Sequence, residues 1–281
     1  MPAPNYRSRM DFTEWTETDA GGRIAVPSAH DDKYSRGVLG VMTGSDEYPG
    51  AAVLGVEAAM RTGVGMIRYL GPPRATDFVL QRRPEAVAAD GRVQAWLVGS
   101  GMDAASRTAA VTADLVRVLG QGVPAVVDAG ALDLVDRATG PVVLTPHFGE
   151  LSRILEVERA AIVASPAEWA VRAAERLGVT VLLKGATTYV AGPDGIRLVV
   201  RTETAWTATA GSGDALGGIL GALLATHADE IAADAAEPAR LAATASVLHG
   251  AAAARASGGG PFAVLDLSDA LPGVVAAMLR S

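Results

Sequence analysis

Short apolar runs alternate along this chain with longer segments whose apolar positions recur at helical spacing. Residues 38–43 read as a buried strand ending at Gly44-Ser45. Pro49 then opens a helix over 50–61, since proline suits the first helical position, and Gly63 closes it. Further strands are predicted at 64–70, 95–98, 125–128 and 142–144, with a helix over 104–119 among them. Ser165-Pro166-Ala167-Glu168 has the spacing of a capping box and predicts a helix to about Leu177, ahead of a strand at 179–183. There the rhythm changes. The runs 187–190 and 196–201 flank Gly192-Pro193-Asp194-Gly195, which signals a hairpin rather than a helical crossover. Helices follow over 213–225, 238–254 and 270–279, with Gly258-Gly259-Gly260-Pro261 as the loop before the last.

Strands alternating with helices imply a parallel sheet covered on both faces. The hairpin makes the sheet mixed near one edge. The expected class is α/β, a three-layer α/β/α sandwich with a mostly parallel central sheet and an edge hairpin. Residues 1–36 are polar and lack a clear period. No linker rich in Pro, Gly or Ser divides the rest, so a single domain over 33–281 is expected behind an arm or short helix at 1–32. Ligands of such sheets bind beyond the carboxyl ends of the strands. Glycine-marked or polar turns fall at those ends: Gly44-Ser45, Gly99-Ser100-Gly101, Asp128-Ala129-Gly130, Thr145-Pro146-His147 and Lys184-Gly185. Together on one rim they point to a site.

Composition narrows the function classes. The net charge of -7 argues against non-specific nucleic-acid binding, though not against phosphate ligands held by a local donor cluster. The absence of cysteine excludes disulfides, thiol catalysis and Cys-ligated zinc. The first residues lack the apolar core of a signal peptide, and no apolar run reaches bilayer length. A cytoplasmic protein with no membrane partner is expected.

The segment Thr207-Ala208-Thr209-Ala210-Gly211-Ser212-Gly213-Asp214 runs directly into the apolar helical pattern 215–225. Glycines let backbone N–H groups approach a ligand, and a helix N-terminus adds unpaired donors and a positive dipole end. Asp214, where the helix begins, is either an N-cap or a general base. Lys184, at a strand end before Gly185, is either a solvated turn residue or a point charge for a phosphate. His147 fits a substrate donor, a proton shuttle or a helix cap. Glu150 fits a metal contact or first-turn charge. His30, His227 and His249 read as surface or helix residues, and most of the tryptophans as packing residues, with Trp206 close enough to the Gly-rich turn to line a pocket. Gly99-Ser100-Gly101-Met102-Asp103-Ala104 matches a dinucleotide fingerprint in letters but lacks its strand context. Neither a P-loop nor a G-x-S-x-G elbow occurs.

Four blocks carry a resemblance. Thr145-Pro146-His147-Phe148-Gly149-Glu150, Lys184-Gly185-Ala186-Thr187-Thr188 and Ala208-Thr209-Ala210-Gly211-Ser212-Gly213-Asp214 stand in the order and spacing of the ADP-dependent NAD(P)H-hydrate dehydratases. So do Lys33-Tyr34-Ser35-Arg36-Gly37, Gly40, Gly44-Ser45 and Tyr48-Pro49-Gly50-Ala51-Ala52. From Lys33 to its end the chain resembles that family, which implies a ribokinase-like fold. The implied reaction returns the S epimer of hydrated NADH or NADPH to NADH or NADPH, with ADP as co-substrate and AMP and phosphate as products.

The resemblance implies roles for individual residues. Asp214 would be the catalytic base and also touch the substrate. Gly211, Ser212 and Gly213 would form the anion hole. Lys184, Gly185, Ala186, Thr187 and Thr188, with Gly213, would bind the nucleotide. Ala51, Gly101 and His147 would contact the hydrated cofactor, and Glu150 would assist Mg2+. Two departures stand out: Gly130 where many relatives have a second Asp, and Ala205-Trp206-Thr207 in place of a Pro-Gly-Met type segment. Many relatives carry a fused epimerase domain; here a separate epimerase is expected, as is a homo-oligomer, a tetramer among the options. The alternative on the same fold is an ATP-dependent kinase of a small alcohol of thiazole or sugar type.

Overall fold

The computed structural model describes residues 11–201 and 204–280, so the first ten residues of the expected N-terminal arm lie outside it. In chain order the elements are β1 (Thr13–Glu14), α1 (Glu17–Gly21), β2 (Val38–Met42), α2 (Pro49–Thr62), β3 (Met66–Tyr69), α3 (Pro73–Arg82), β4 (Ala95–Val98), α4 (Ala109–Leu119), β5 (Ala125–Val127) and β6 (Val142–Leu144). There follow α5 (Phe148–Leu155), α6 (Arg159–Ala164), α7 (Pro166–Leu177), β7 (Thr180–Leu183), β8 (Thr187–Ala191), β9 (Arg197–Arg201), α8 (Ser212–Thr226), α9 (Ala228–Ala233), α10 (Glu237–Ser257) and α11 (Val264–Met278).

Among the described residues, nine strands join one sheet in the order β1-β9-β8-β7-β6-β5-β4-β2-β3. From β7 to β3 every pair is parallel; β8 pairs antiparallel with both β7 and β9 as the expected hairpin, and β1 adds a parallel edge beyond it. The alternation of side chains along each strand divides the core in two. Leu39, Val41, Leu97, Val126, Val143 and Leu182 face α2, α8, α10 and α11. Val38, Trp96, Val98, Val127, Leu144 and Leu183 face α4, α5 and α7. This is the three-layer sandwich expected, and among the described residues no helix is long and apolar enough to cross a membrane.

Several boundaries differ from the expectation. The helix predicted from 104 begins at Ala109, because Asp103 accepts from the Ala105 N–H in a turn and Thr108 supplies the cap through Val111 N–H. No helix therefore opens at the Gly99–Ala104 fingerprint. Ser165 makes no capping bond, and Glu168 pairs with Arg172 instead. α11 starts at Val264, its Asp266 accepting from the Ala263 N–H, and carries Pro272 inside it. The predicted arm contains both β1 and the short α1, whose Thr16 and Asp19 form a reciprocal cap.

The helix that matters most is placed by a backbone contact. A Cβ at Gly218 on α8 would overlap the carbonyl of Gly55 on α2, so only glycine permits the crossing. Both helices start at the carboxyl rim of the sheet.

Candidate active site

The carboxyl ends of four neighbouring strands carry Ser100, Asp128, Thr145 and Lys184. Asp128 joins them. Its carboxylate accepts from Ser100 Oγ at 3.0 Å, from Thr145 Oγ1 at 2.8 Å and from Lys184 Nζ at 2.9 Å. Burial alone would push this carboxyl up; the Lys184 charge and the hydroxyl donors outweigh it and hold it below its ordinary value. Burial would likewise lower Lys184, but the charges of Asp128 and Glu150 prevail and raise it. Glu150 Oε2 lies 3.9 Å from the ammonium.

Asp214 stands in the first turn of α8. The N-cap is Gly211, in left-handed conformation at φ 90°, and it offers no side chain to the helix N–H groups. No described residue donates a hydrogen bond to the Asp214 carboxylate. Its capping reading therefore falls away. Burial, with the Asp128 charge beside it, pushes this carboxyl up to about 6 against the pull of Lys184. The arrangement is a half-buried carboxylate at a positive helix end, next to a lysine already paired elsewhere.

A cavity of about 660 Å³ opens on this rim. Its wall includes His147, Lys184, Gly185, Ala186, Thr188, Ser212 and Gly213, so the structure brings most of the expected nucleotide and anion residues together. Thr187 is outside that wall: successive residues of β8 point to opposite faces, and Thr188 takes the inner one. Gly211, Glu150 and Asp214 are not among the lining residues. Ala51 and Gly101 meet elsewhere on the rim. Gly101, at φ +67°, lies against Ala51, Gly44 and the Tyr48 carbonyl with no room for a side chain.

His147 is a cap as well as a wall residue. Its Nδ1 accepts from the N–H groups of Gly149 and Glu150 at 3.0 and 3.1 Å, while Glu150 accepts from the His147 N–H at 2.8 Å. Nδ1 is thus unprotonated and Nε2 is the donor. Among the described residues no group of three or more carboxylate, His or Cys side chains is arranged to hold a metal ion.

Two expectations are corrected, those for Trp206 and His227, while His249 lies on α10 as the helix residue expected. Trp206 is 48% exposed and outside the cavity wall; its short 3-10 turn, Ala205–Thr207, brings Ala205 and Thr207 there instead. His249 is a wall residue, its Nε2 3.0 Å from Ser212 Oγ. His227 is buried, with Nδ1 2.9 Å from the Leu223 carbonyl oxygen at the end of α8. Gly130 also finds its reason, since a Cβ there would overlap the Met102 carbonyl. Sequence reasoning assigned no role to Asp128, Ser100 or His249. The available signal was a polar residue directly after each of several adjacent apolar strands.

Comparison with known proteins bears on this geometry. The family model for NAD(P)H-hydrate dehydratase matches residues 39–272. The bifunctional NAD(P)H-hydrate repair enzyme Nnr of Mycobacterium tuberculosis is 42% identical over 235 residues, 78% of this chain and 47% of that protein. The chain spans about half the length of such bifunctional relatives. The ADP-dependent (S)-NAD(P)H-hydrate dehydratase of Bacillus subtilis is 31% identical over 258 residues, 87% of this chain and 90% of that one. The crystal structure of the ADP/ATP-dependent NAD(P)H-hydrate dehydratase from B. subtilis, co-crystallised with ATP/Mg2+, superposes with a TM-score of 0.85 at 29% identity, covering 96% of this chain and 99% of that one. With a family match across most of its length, this chain belongs to the NAD(P)H-hydrate dehydratase family.

Proposed function

We propose that this chain dehydrates the S epimer of hydrated NADH and NADPH, using ADP and releasing NADH or NADPH, AMP and phosphate. One observation carries the reading: an uncapped, half-buried carboxylate, Asp214, at the N-terminus of α8 beside a nucleotide-sized cavity. Family membership selects the substrate, and a relative named ADP-dependent selects the donor.

In this reading Asp214 takes the proton of the ring hydroxyl as that oxygen attacks the terminal phosphorus of ADP. The bond from phosphorus to the bridging oxygen breaks, and AMP leaves. The N–H groups of the Gly211–Gly213 turn hold the transferring phosphoryl group, as positioning and charge stabilisation require. The ring then loses phosphate with its carbon–oxygen bond and a proton from the adjacent carbon, which restores the ring double bond. Lys184 and the 185–188 segment bind the nucleotide. Ala51 and Gly101 contact the hydrated ring, and His147 donates to it through Nε2. A base with a pKa near 6 is mostly ionised at neutral pH yet still basic enough to accept the proton.

Mg2+ fits as a companion of the nucleotide, since it binds through one or two carboxylates plus substrate phosphates. Glu150 would be the carboxylate that helps to hold it. When bound it would offset phosphate charge.

The test is an absorbance assay with hydrated NADH, Mg2+ and either ADP or ATP. Return of the dihydronicotinamide band with ADP supports the reading. Return with ATP alone corrects the donor. No return from folded protein, together with a stable phosphorylated alcohol from ATP, would favour the kinase.

A further inference from the structure

His249 stands on α10 with its imidazole in the cavity wall, against the first turn of α8. Its Nε2 lies 3.0 Å from the carbonyl oxygen of Ser212 and 3.0 Å from Ser212 Oγ. A carbonyl oxygen only accepts, so Nε2 carries the hydrogen and shares it between the two oxygens. Ser212 Oγ is therefore an acceptor in this contact, and its own hydrogen is directed elsewhere. Among the described residues nothing accepts that hydrogen, although Ser212 is only 6% exposed.

The open direction is the cavity, which Ser212 and Gly213 both line. Gly211 and Gly213 have no side chains, so the Ser212 hydroxyl is the side-chain donor of the turn. Burial pushes the His249 pKa down to about 4, with the Lys184 charge acting in the same direction. The ring is thus neutral at working pH, and the hydrogen on Nε2 stays in place.

We propose that His249 is a positioning residue that turns the Ser212 hydroxyl so that its O–H donates to the terminal phosphate of the bound nucleotide. The inference rests on the reading of this cavity as the nucleotide site. A donor oriented in advance, in a site shielded from water, is worth more than one that must reorient when charge develops. A purely structural His249 would only join α10 to α8, and the two roles separate experimentally.

Three substitutions make the test. His249→Gln keeps an N–H donor near the position of Nε2. His249→Leu removes the donor with little change in bulk. Ser212→Ala removes the hydroxyl. Thermal melting checks folding, calorimetry gives affinities for ADP and AMP, and the dehydration assay gives kcat and KM.

The expected result is that His249→Leu and Ser212→Ala each weaken ADP binding by about tenfold, the worth of a hydrogen bond to a charged group, and leave AMP within about twofold. Each should lower kcat more than it raises KM. The double variant should be no worse than Ser212→Ala alone, and His249→Gln should stay within about threefold of the parent. Equal losses for ADP and AMP, or additive losses, would overturn the proposal. Should His249→Leu fail to fold, a folded Ser212→Ala with an unchanged ADP-to-AMP ratio overturns it as well. A parent protein that binds ADP but restores no dihydronicotinamide refutes the dehydratase reading, and the ADP-to-AMP ratio still decides the role of His249. A parent that binds neither nucleotide overturns both.

Discussion

Lys184 Nζ lies 2.9 Å from Asp128 Oδ1, and the pair spans the carboxyl ends of β5 and β7 across β6. Thr145, at the end of β6, donates to the same carboxylate oxygen. The charge that the sequence assigns to a phosphate is thus already held by a buried partner.

Removing one member of this pair should be costly. Lys184→Met leaves a buried carboxylate with only hydroxyl donors, and a loss of about 3–5 kcal/mol is expected in denaturant unfolding. The double variant Lys184→Met with Asp128→Asn should regain most of it. Asp128 has a lowered pKa, so its contribution is complete above its ordinary value and is lost as pH falls through the folded one. The stability gap between parent and double variant should therefore narrow in acid.

Asp214 should behave in the opposite way. Its pKa is raised to about 6, so the unfolded chain ionises first as pH rises. Stability is lost between the ordinary carboxylate value and about 6, and stays lost above. Asp214→Asn is expected to gain about 1–3 kcal/mol at neutral pH while kcat falls by about 10²–10⁴. Neutral-pH melting below that of the parent would contradict this.

The same carboxylate should govern the acid side of the rate profile. The kcat/KM of the parent should rise through an apparent pKa near 6. Asp128→Asn removes a negative charge that raises Asp214 and frees Lys184 to lower it. Both effects move the limb to lower pH, which a pH series on the two proteins would detect.

Gly130→Asp, the residue many relatives are expected to have, should destabilise this chain. Its Cβ would overlap the Met102 carbonyl, and Arg107 holds the segment through the Gly130 carbonyl and Asp133. A loss of about 1–3 kcal/mol is expected, read by thermal melting. An unchanged melt would mean that the 3-10 segment Ala129–Arg137 shifts freely.

The strands were legible because parallel strands buried on both faces are continuous apolar runs, as in Val142–Leu144 and Thr180–Leu183. The Gly-rich turn was legible because its demands are local. α3 was hidden by Pro72-Pro73, which reads as a break although Pro73 opens the helix. Pro272 hid the first half of α11 in the same way. Local pattern put Asp128 in a rim turn without naming its partner, and gave His249 no place in the site. Their partners lie 56 and 37 positions away, and only the folded sheet brings Lys184 and Ser212 to them.

The glycine crossing of α2 and α8 has a mechanical consequence. A contact between Gly55 and Gly218 backbones has no side chain that can yield. The two helices therefore move as one piece, and with them Ala51 in the first turn of α2 and Asp214 in the first turn of α8. Their separation works as a fixed gauge: changing it by sliding one helix would take a whole turn, about 5.4 Å. Ligands must fit that gauge, and any widening of the cavity has to come from the opposite side, where the β8–β9 hairpin and the 204–209 turn form the wall.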